Sequence, residues 1–271
     1  MKTSKIITLT TDFGQRDSFV GQMKGAALSV DPEARLVDLC HGVPPHDVRA
    51  GSYLLETGYN AFPDGTVHVV VVDPGVGTDR RLVAVHAGRH LFLAPDNGVL
   101  SRVLAREKIV AAHLLQNPTL YRSPVTPTFE GRDVLAPVAA WITRGVELQR
   151  LGPPAGQLVT LEPTGPRVVP GRPCRVAVVH VDHFGSVVLD MTATQLTALL
   201  GHAPDRDSPL TLRCEGGIVS RFVRTYGEAD GVEPFFLINS TGYLEIACRA
   251  GRADERLALR AGVHPELTVG D

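Results

Sequence analysis

Residues 69–81, VVVVDPGVGTDRR, constrain the fold more than any other stretch of the chain. A β-branched, apolar run of this kind is typical of a strand that is covered on both faces of a parallel sheet. The run ends in Asp73, and a turn with two glycines then leads to Arg80. Because open parallel sheets bind their ligands at the carboxyl ends of their strands, we expect Asp73 and Arg80 to lie at a ligand site.

The first half of the chain alternates apolar runs that predict strands with stretches of helical spacing. Strands are predicted at 6–10, 36–40, 67–72 and 90–94, and helices at 19–30, 48–59 and 133–148. Repeated strand–helix units imply right-handed crossovers between parallel strands. We therefore expect an α/β fold, with an N-terminal layered domain over residues 1–160 that contains a mostly parallel sheet.

The pattern changes after this domain. Between residues 152 and 173 lie six prolines and four glycines, a composition that predicts a connection between domains, which we place at 161–173. Beyond it, short strands separated by hairpin-type turns predict a smaller, all-β, barrel-like domain over residues 174–271. A cleft between two such domains is a common place for a ligand.

Composition and charge argue against several kinds of partner. The formal net charge of −2 gives no basic surface for phosphates, so we expect no nucleic acid. No stretch reaches the roughly 18–20 apolar residues that cross a bilayer, and the N-terminus lacks the apolar core of a signal peptide. The four cysteines lie far apart, as in proteins of a reducing compartment. We therefore expect a cytoplasmic protein without a membrane partner.

Three predicted strands end in turns that carry an acid or an amide. The turns are TDFG (11–14), DPG (73–75) and PDNG (95–98). If the strands are neighbours, Asp12, Asp73 and Asn97 face one crevice, where we expect them to contact a substrate and where a carboxylate can accept both hydrogen bonds of a ribose diol. Asp and Asn also favour turns because their side chains bond to nearby backbone, and that alternative stays open for each turn.

Two common ligand motifs are absent from the sequence. DPGVGT (73–78) lacks the lysine that ends a phosphate-binding loop, and Pro74 removes one backbone N–H group, so a nucleoside suits these turns better than a nucleotide. Cys40, His41 and His46 offer metal ligands, but their spacing matches no standard zinc site. We therefore expect no metal.

Eight motifs together resemble one known family. They are TLTTDFG (8–14), GQMKGA (21–26), VDLCHGVPPHD (37–47), GTVHVVVVDPGVGTDRR (65–81), APDNG (94–98), TFEGRDVLAPVAA (128–140), VDHFGSVVLD (181–190) and NSTGYLEIA (239–247). In this order they resemble the S-adenosyl-L-methionine hydroxide adenosyltransferases, relatives of the bacterial fluorinase and chlorinase. The resemblance implies an α/β domain followed by a barrel-like β domain. It also implies a homotrimer that binds S-adenosylmethionine, as substrate and without a cofactor, between adjacent subunits.

The resemblance further implies which residues bind this substrate. Asp12 matches the acid that holds the ribose 2′- and 3′-hydroxyls, and Asp17 and Ser18 match a segment of the same pocket. The family positions that hold the methionine end of the substrate correspond to Asp182, Phe184 and Ser186. At the position of Ser186 the family usually has Asn. In the family, two further stretches contact methionine and adenine mainly through their backbone. These stretches correspond to Ser240, Thr241, Arg249 and Ala250.

The hydrolytic members of this family share an Asp–Arg–His set at the chemistry. Asp73 and Arg80 match the first two residues, and Glu130 stands where the family has His. Glu130 either accepts a proton in place of the imidazole or pairs with Arg80 or Arg132 and weakens the set. By itself, the segment TFEGRD (128–133) also suits a plain helix start with Asp133 as the N-cap.

The resemblance therefore implies the hydrolysis of S-adenosylmethionine to adenosine and methionine. Water attacks the ribose C5′ in line with the sulfonium, which departs as a neutral thioether and therefore needs no acid. Two alternatives stay open: a non-catalytic binder of S-adenosylmethionine or adenosine, which Glu130 would explain, and a chlorinase-like halogenase. The halogenases lack an acid at the position of Asp73, which would repel a halide, so we expect hydrolysis.

Overall fold

The computed structural model describes residues 3–162, 165, 169 and 171–270. The chain divides into two compact units, Met1–Leu161 and Glu162–Asp271. The connection predicted at 161–173 lies partly outside the described residues.

The first unit is built on a six-stranded sheet. Its strands are β1 (Ile6–Thr11), β2 (Arg35–Cys40), β3 (Val67–Val71), β4 (Leu82–Ala87), β5 (His90–Pro95) and β6 (Ile109–Leu114). They lie in the order β2-β1-β3-β5-β4-β6. The first four strands in this order run parallel, whereas β4 is antiparallel to both of its neighbours. The prediction of a layered α/β unit with a mostly parallel sheet is therefore confirmed.

Helices cover both faces of this sheet, and β3 explains why its sequence is apolar throughout. The helices are α1 (Phe19–Val30), α2 (Val48–Gly58), α3 (Ser101–Arg106) and α4 (Ala136–Thr143). Val69 and Val71 belong to the core cluster that contains residues of α1 and α4. Val70 and Val72 belong to the opposite cluster, with residues of α2 and α3. Because successive side chains of a strand point to opposite faces, a strand between two helical layers must be apolar at every position.

The helix predicted at 133–148 is shorter in the structure. A π-helical turn, Gly131–Leu135, precedes α4, and α4 itself ends at Thr143. Gly145 then adopts a positive φ of 96°, which turns the chain out of the helix. Val146 and Leu148 still pack against the core, so the apolar spacing continues after the helix has ended.

The second unit contains two four-stranded antiparallel sheets. Its strands are β7 (Cys174–Arg175), β8 (Val178–Val181), β9 (Val187–Thr192), β10 (Leu210–Cys214), β11 (Gly217–Val219), β12 (Phe235–Ile238), β13 (Tyr243–Ala247) and β14 (Glu266–Val269). The α-helices among the described residues of this unit are α5 (Ala193–Leu200) and α6 (Ala253–Leu257).

The strand orders of these sheets are β11-β10-β14-β7 and β12-β13-β9-β8. Apolar residues from both sheets share one core, to which Leu189 and Ile246 contribute from one sheet and Leu212 and Leu267 from the other. The smaller C-terminal β unit is thus present as predicted. The described strands form two open sheets rather than a closed barrel.

Candidate active site

Three of the predicted turns meet at one edge of the first sheet. β1, β3 and β5 are adjacent and parallel, so the turns that follow them emerge side by side. The turns at 11–14, 73–75 and 95–98 are therefore neighbours, as the sequence predicts. This edge is where an open parallel sheet places its ligand.

Arg80 joins two carboxylates at this edge. Its Nε donates to Asp73 Oδ2 at 2.7 Å, and its Nη2 lies 2.5 Å from the same oxygen. The same Nη2 donates to Glu130 Oε2 at 2.5 Å. The Asp73 and Arg80 side chains are 6% and 11% exposed, and Glu130 is 22% exposed. Glu130, fifty positions after Arg80 in the chain, thus pairs with the same guanidinium as Asp73.

The turn between Asp73 and Arg80 is shaped to bring the two residues together. The Thr78 hydroxyl donates to the Gly75 carbonyl at 2.7 Å, which closes the turn. A Cβ at Gly75 would lie 3.3 Å from Arg80 Cδ, so glycine leaves room for the arginine stem. Gly77 adopts a positive φ of 81°, a conformation that favours glycine.

The electrostatics of this trio keep the arginine charged and leave one acceptor open. Burial opposes the charged form of Arg80, but hydrogen bonds to Asp73 and Glu130 outweigh it and raise the pKa of the guanidinium. Asp73 Oδ1 is buried and has no hydrogen-bond partner among the described residues. A buried acceptor of this kind is costly unless it serves a ligand or a water.

A buried network around Asp133 lies next to Glu130 in the chain. Asp133 is fully buried and accepts hydrogen bonds from Arg132 Nε at 2.7 Å and from the Thr126 backbone N–H at 2.8 Å. Burial opposes the charge of Asp133, but these bonds and one from Arg122 hold its pKa far below the usual range. Asp133 is therefore the centre of a buried network rather than a helix N-cap. Arg132 pairs with Asp133, and Glu130 pairs with Arg80.

Asp12 and a group of aromatic rings occupy the neighbouring loop. Asp12 Oδ2 accepts a hydrogen bond from the backbone N–H of His46 at 2.8 Å, and the predicted residues Asp17 and Ser18 are exposed. Phe13 and Phe19 contact Phe129, with ring centroids 5.8 and 5.5 Å apart. These rings bring the Asp12 loop close to Glu130. No sequence motif predicts these rings as part of the site, although Phe13 and Phe129 are adjacent in the chain to two predicted site residues.

Asn97 has a different environment from the other two turn residues. Its Nδ2 donates to the Val72 carbonyl at 2.9 Å, and its Oδ1 accepts from the Val99 backbone N–H at 3.1 Å. The Nδ2 end of the amide therefore ties the turn after β5 to the residue that follows β3, and the Oδ1 end closes the turn itself. This geometry favours the turn-forming alternative over the substrate contact that we expected for Asn97.

The predicted residues in the second unit begin with a tight turn between β8 and β9. Asp182 Oδ1 accepts hydrogen bonds from the backbone N–H groups of Phe184, at 2.9 Å, and Ser186, at 2.8 Å. Ser186 is buried, whereas the Phe184 ring is 77% exposed. The turn thus presents an aromatic ring and leaves the second oxygen of Asp182 without a hydrogen bond within the described residues.

The remaining predicted residues lie at both ends of the same sheet. β13 runs antiparallel to β9, so the residues that follow β13 lie beside the turn that leads into β9. One end of the sheet therefore carries Asp182, Phe184, Ser186, Arg249 and Ala250. The turn between β12 and β13, at the other end, carries Ser240 and Thr241. A strand of five residues separates these ends by roughly 15 Å.

Two kinds of feature are absent from the part of the chain that the structure describes. No group of three or more His, Cys, Asp or Glu side chains is placed to hold a metal ion. No described helix is long and apolar enough to cross a membrane.

Comparison with known proteins gives one consistent result over both units. Residues 7–152 match the model of the SAM hydroxide adenosyltransferase N-terminal domain, and residues 176–265 match the model of the C-terminal domain. A solved structure described as an uncharacterized conserved protein from Thermotoga maritima superposes with a TM-score of 0.89 at 31% identity. The match covers 97% of this chain and 99% of that one.

Curated relatives match along nearly the whole chain. The (R)-S-adenosyl-L-methionine hydrolase of Salinispora arenicola is 38% identical over the full length of both chains. The protein of the same name from Thermus thermophilus is 34% identical over 95% of this chain and 97% of its own. A fluorinase from Nocardia brasiliensis is 28% identical, with coverage of 98% and 97%.

Proposed function

Because this chain belongs to the SAM hydroxide adenosyltransferase family, we propose that it hydrolyses S-adenosyl-L-methionine to adenosine and L-methionine. The observation that carries the mechanism is the asymmetric environment of Asp73. One of its oxygens is held by Arg80, and the other is buried without a partner among the described residues. Asp73 is thus fixed in orientation and retains a free acceptor.

In the proposed mechanism, Asp73 Oδ1 accepts a hydrogen bond from the attacking water. The water oxygen forms a bond to the ribose C5′ as the C5′–S bond breaks. The electron pair of the C5′–S bond passes to the sulfur. Methionine leaves as a neutral thioether, and the proton of the water passes to the carboxylate and then to solvent. Fixing the water opposite the leaving group supplies most of the acceleration, because a well-oriented attack removes much of the entropic barrier.

Arg80 keeps this carboxylate in place and remains a cation throughout. Its raised pKa means that it does not exchange protons with the water. Its second contact, to Glu130, anchors the guanidinium from the other side. We propose that Glu130 takes over the anchoring part of the role that a histidine has in related hydrolases, and that Asp73 alone accepts the proton.

The charge of the trio favours hydrolysis over halide transfer. Two carboxylates and one guanidinium carry a net charge of −1, which suits a sulfonium cation. A halide beside the same carboxylates is repelled by several kcal/mol unless it is well screened. Because fluorinases are among the relatives, an experiment has to exclude halide transfer.

The remaining predicted contacts complete the proposal for the substrate. Asp12 holds the ribose diol, and the residues of the second unit bind the methionine and adenine ends. The homotrimer with substrate bound between adjacent subunits, and the cytoplasmic location, stay predictions.

Hydrolysis in water enriched in oxygen-18 tests the proposal directly. Attack at C5′ places the label in the 5′-hydroxyl of adenosine, which chromatography with mass spectrometry detects. Addition of chloride tests halide transfer, whose product is 5′-chloro-5′-deoxyadenosine. Saturable binding of S-adenosylmethionine without any product would support a non-catalytic binder and refute the proposal.

A further inference from the structure

His41 is a buried histidine that the proposed chemistry does not use. It lies immediately after β2 and is 5% exposed. The sequence offered it as a metal ligand, but it belongs to no metal-binding group among the residues that the structure describes. A buried imidazole needs a reason to be there, because its polar nitrogens lose their contact with water.

Both ring nitrogens of His41 face oxygen atoms. Nδ1 lies 2.9 Å from the Thr11 hydroxyl. Nε2 lies 3.0 Å from Asp38 Oδ1, within ion-pair distance, but it makes no hydrogen bond within the described residues. The other oxygen of Asp38 accepts from Lys24 Nζ at 2.7 Å. Since a carboxylate is only an acceptor, Asp38 favours the tautomer with its proton on Nε2, and Nδ1 then accepts the proton of Thr11.

This bond fixes the turn that carries Asp12. With its proton directed at His41, the Thr11 hydroxyl accepts a hydrogen bond from the Phe13 backbone N–H at 3.2 Å. The His41 carbonyl accepts from the Gly14 backbone N–H at 2.8 Å. Thr11 and Gly14, which flank the Asp12–Phe13 pair, are therefore bonded to His41, while Asp12 Oδ2 itself accepts from a backbone N–H of the same 41–46 segment.

We propose that His41 is a positioning residue that, through Thr11, aims the Asp12 carboxylate at the ribose diol. The inference rests on the proposed function in one respect, the assignment of Asp12 to the diol. A carboxylate that must accept two hydrogen bonds at once depends on its orientation more than a single contact does. The proposal predicts that the loss of the Thr11–His41 bond reduces diol recognition and leaves the rest of ligand binding intact.

Binding of adenosine and of 2′,3′-dideoxyadenosine to the full chain, measured by isothermal titration calorimetry, isolates this effect. We expect the wild type to bind adenosine at least about tenfold more tightly, since hydrogen bonds to a charged group are among the strong ones. In Thr11→Val, which keeps the shape and removes the hydroxyl, we expect the ratio to fall to about threefold or less. Thr11→Ser restores the hydroxyl and is expected to restore the ratio.

The chain offers a matched control in the same strand. Thr8 is also fully buried, and its hydroxyl lies 2.7 Å from Nδ1 of another buried histidine, His68. Thr8→Val therefore removes a bond of the same kind about 10 Å from Thr11 along the strand, and the adenosine ratio should stay at the wild-type value. His41→Leu should reproduce the loss seen in Thr11→Val.

Three outcomes would overturn the proposal. An unchanged ratio in Thr11→Val, with normal discrimination in the wild type, refutes the role of His41 and leaves the ribose assignment standing. An equal loss in Thr8→Val shows a general structural effect and also refutes it. A wild type that binds both nucleosides equally refutes the assignment of Asp12 to the diol, and this inference with it.

Discussion

The geometry of the charge trio of Asp73, Arg80 and Glu130 predicts the sign of the effect that a substitution at Glu130 has on the free energy of unfolding. Asp73 Oδ2 and Glu130 Oε2 each lie 2.5 Å from Nη2 of Arg80, so these two oxygens are no more than about 5 Å apart. Arg80→Met removes the cation and leaves two facing anions. At an effective dielectric constant of about 20, two unit charges at this distance repel by about 3 kcal/mol.

The trio therefore predicts that Glu130→Gln has opposite effects in two backgrounds. In the wild type it removes a half-screened ion pair and lowers the free energy of unfolding by about 1 kcal/mol. In Arg80→Met it removes the repulsion and raises the free energy of unfolding by about 2 kcal/mol, after allowance for the partial exposure of Glu130. The coupling energy of the cycle is then about 3 kcal/mol.

Urea unfolding at neutral pH, followed by fluorescence, measures all four proteins. The chain has a single tryptophan, Trp141, which lies in α4 of the first unit and reports on the unit that carries the trio. Protein concentration is held constant because oligomerisation would shift the apparent stability. If Glu130→Gln destabilises Arg80→Met as much as it destabilises the wild type, the two carboxylates do not share a cation and the proposed anchoring role of Glu130 is wrong.

Three further predictions address the chemistry and the stability of the first unit. Asp73→Asn should lower kcat, measured by adenosine release, by about a hundredfold to ten-thousandfold. Adenosine affinity, measured by calorimetry, should change little. A similar loss in kcat and in adenosine affinity would assign Asp73 to binding. Asp133→Asn should lower the free energy of unfolding by about 3 kcal/mol at pH 7, since it removes the buried anion that pairs with the partly exposed Arg122 and Arg132. Because the pKa of Asp133 is depressed, its stabilisation is complete above about pH 4 and is lost as the pH falls further. Burial, with a smaller effect of His90, lowers the pKa of His68 to about 3. The contribution of His68 to stability should therefore be constant above about pH 6.5 and fall by about 1.4 kcal/mol per pH unit below it. His68→Gln should lack this part of the slope in urea titrations, and an identical slope would contradict the buried, neutral state.

Much of the fold follows from local sequence pattern. The valine run of β3 predicts a strand between two layers, and the structure covers it with helices on both faces. The strand–helix alternation predicts the parallel part of the sheet. β4 and β6 were not predicted, and β4 is antiparallel to both of its neighbours; an apolar strand looks the same in sequence whichever direction it runs. The helix after Glu130 was predicted too long because apolar spacing alone does not show where a helix ends.

The candidate site was predicted to a smaller extent. The acids after β1 and β3 were identified from their positions at strand ends, and the sheet order confirms that these ends are neighbours. Asn97 looked equivalent in sequence, yet its amide is used by the backbone on both sides. Sequence position shows that a polar residue lies in a turn, but not whether its side chain turns inward to satisfy the backbone or outward to a ligand.

By itself, the sequence determined the α/β character of the first unit, the strand ends that carry Asp12 and Asp73, and the family to which the chain is similar. These follow from periodicity and from continuous motifs, which are local properties. Only the tertiary structure decided that Glu130 pairs with Arg80 rather than Arg132, and that His41 reaches the turn of Asp12. Side chains fifty and thirty positions apart meet only after packing has fixed the backbone, because the free energy of a charge pair or a buried hydrogen bond depends on distances that the order of residues does not contain.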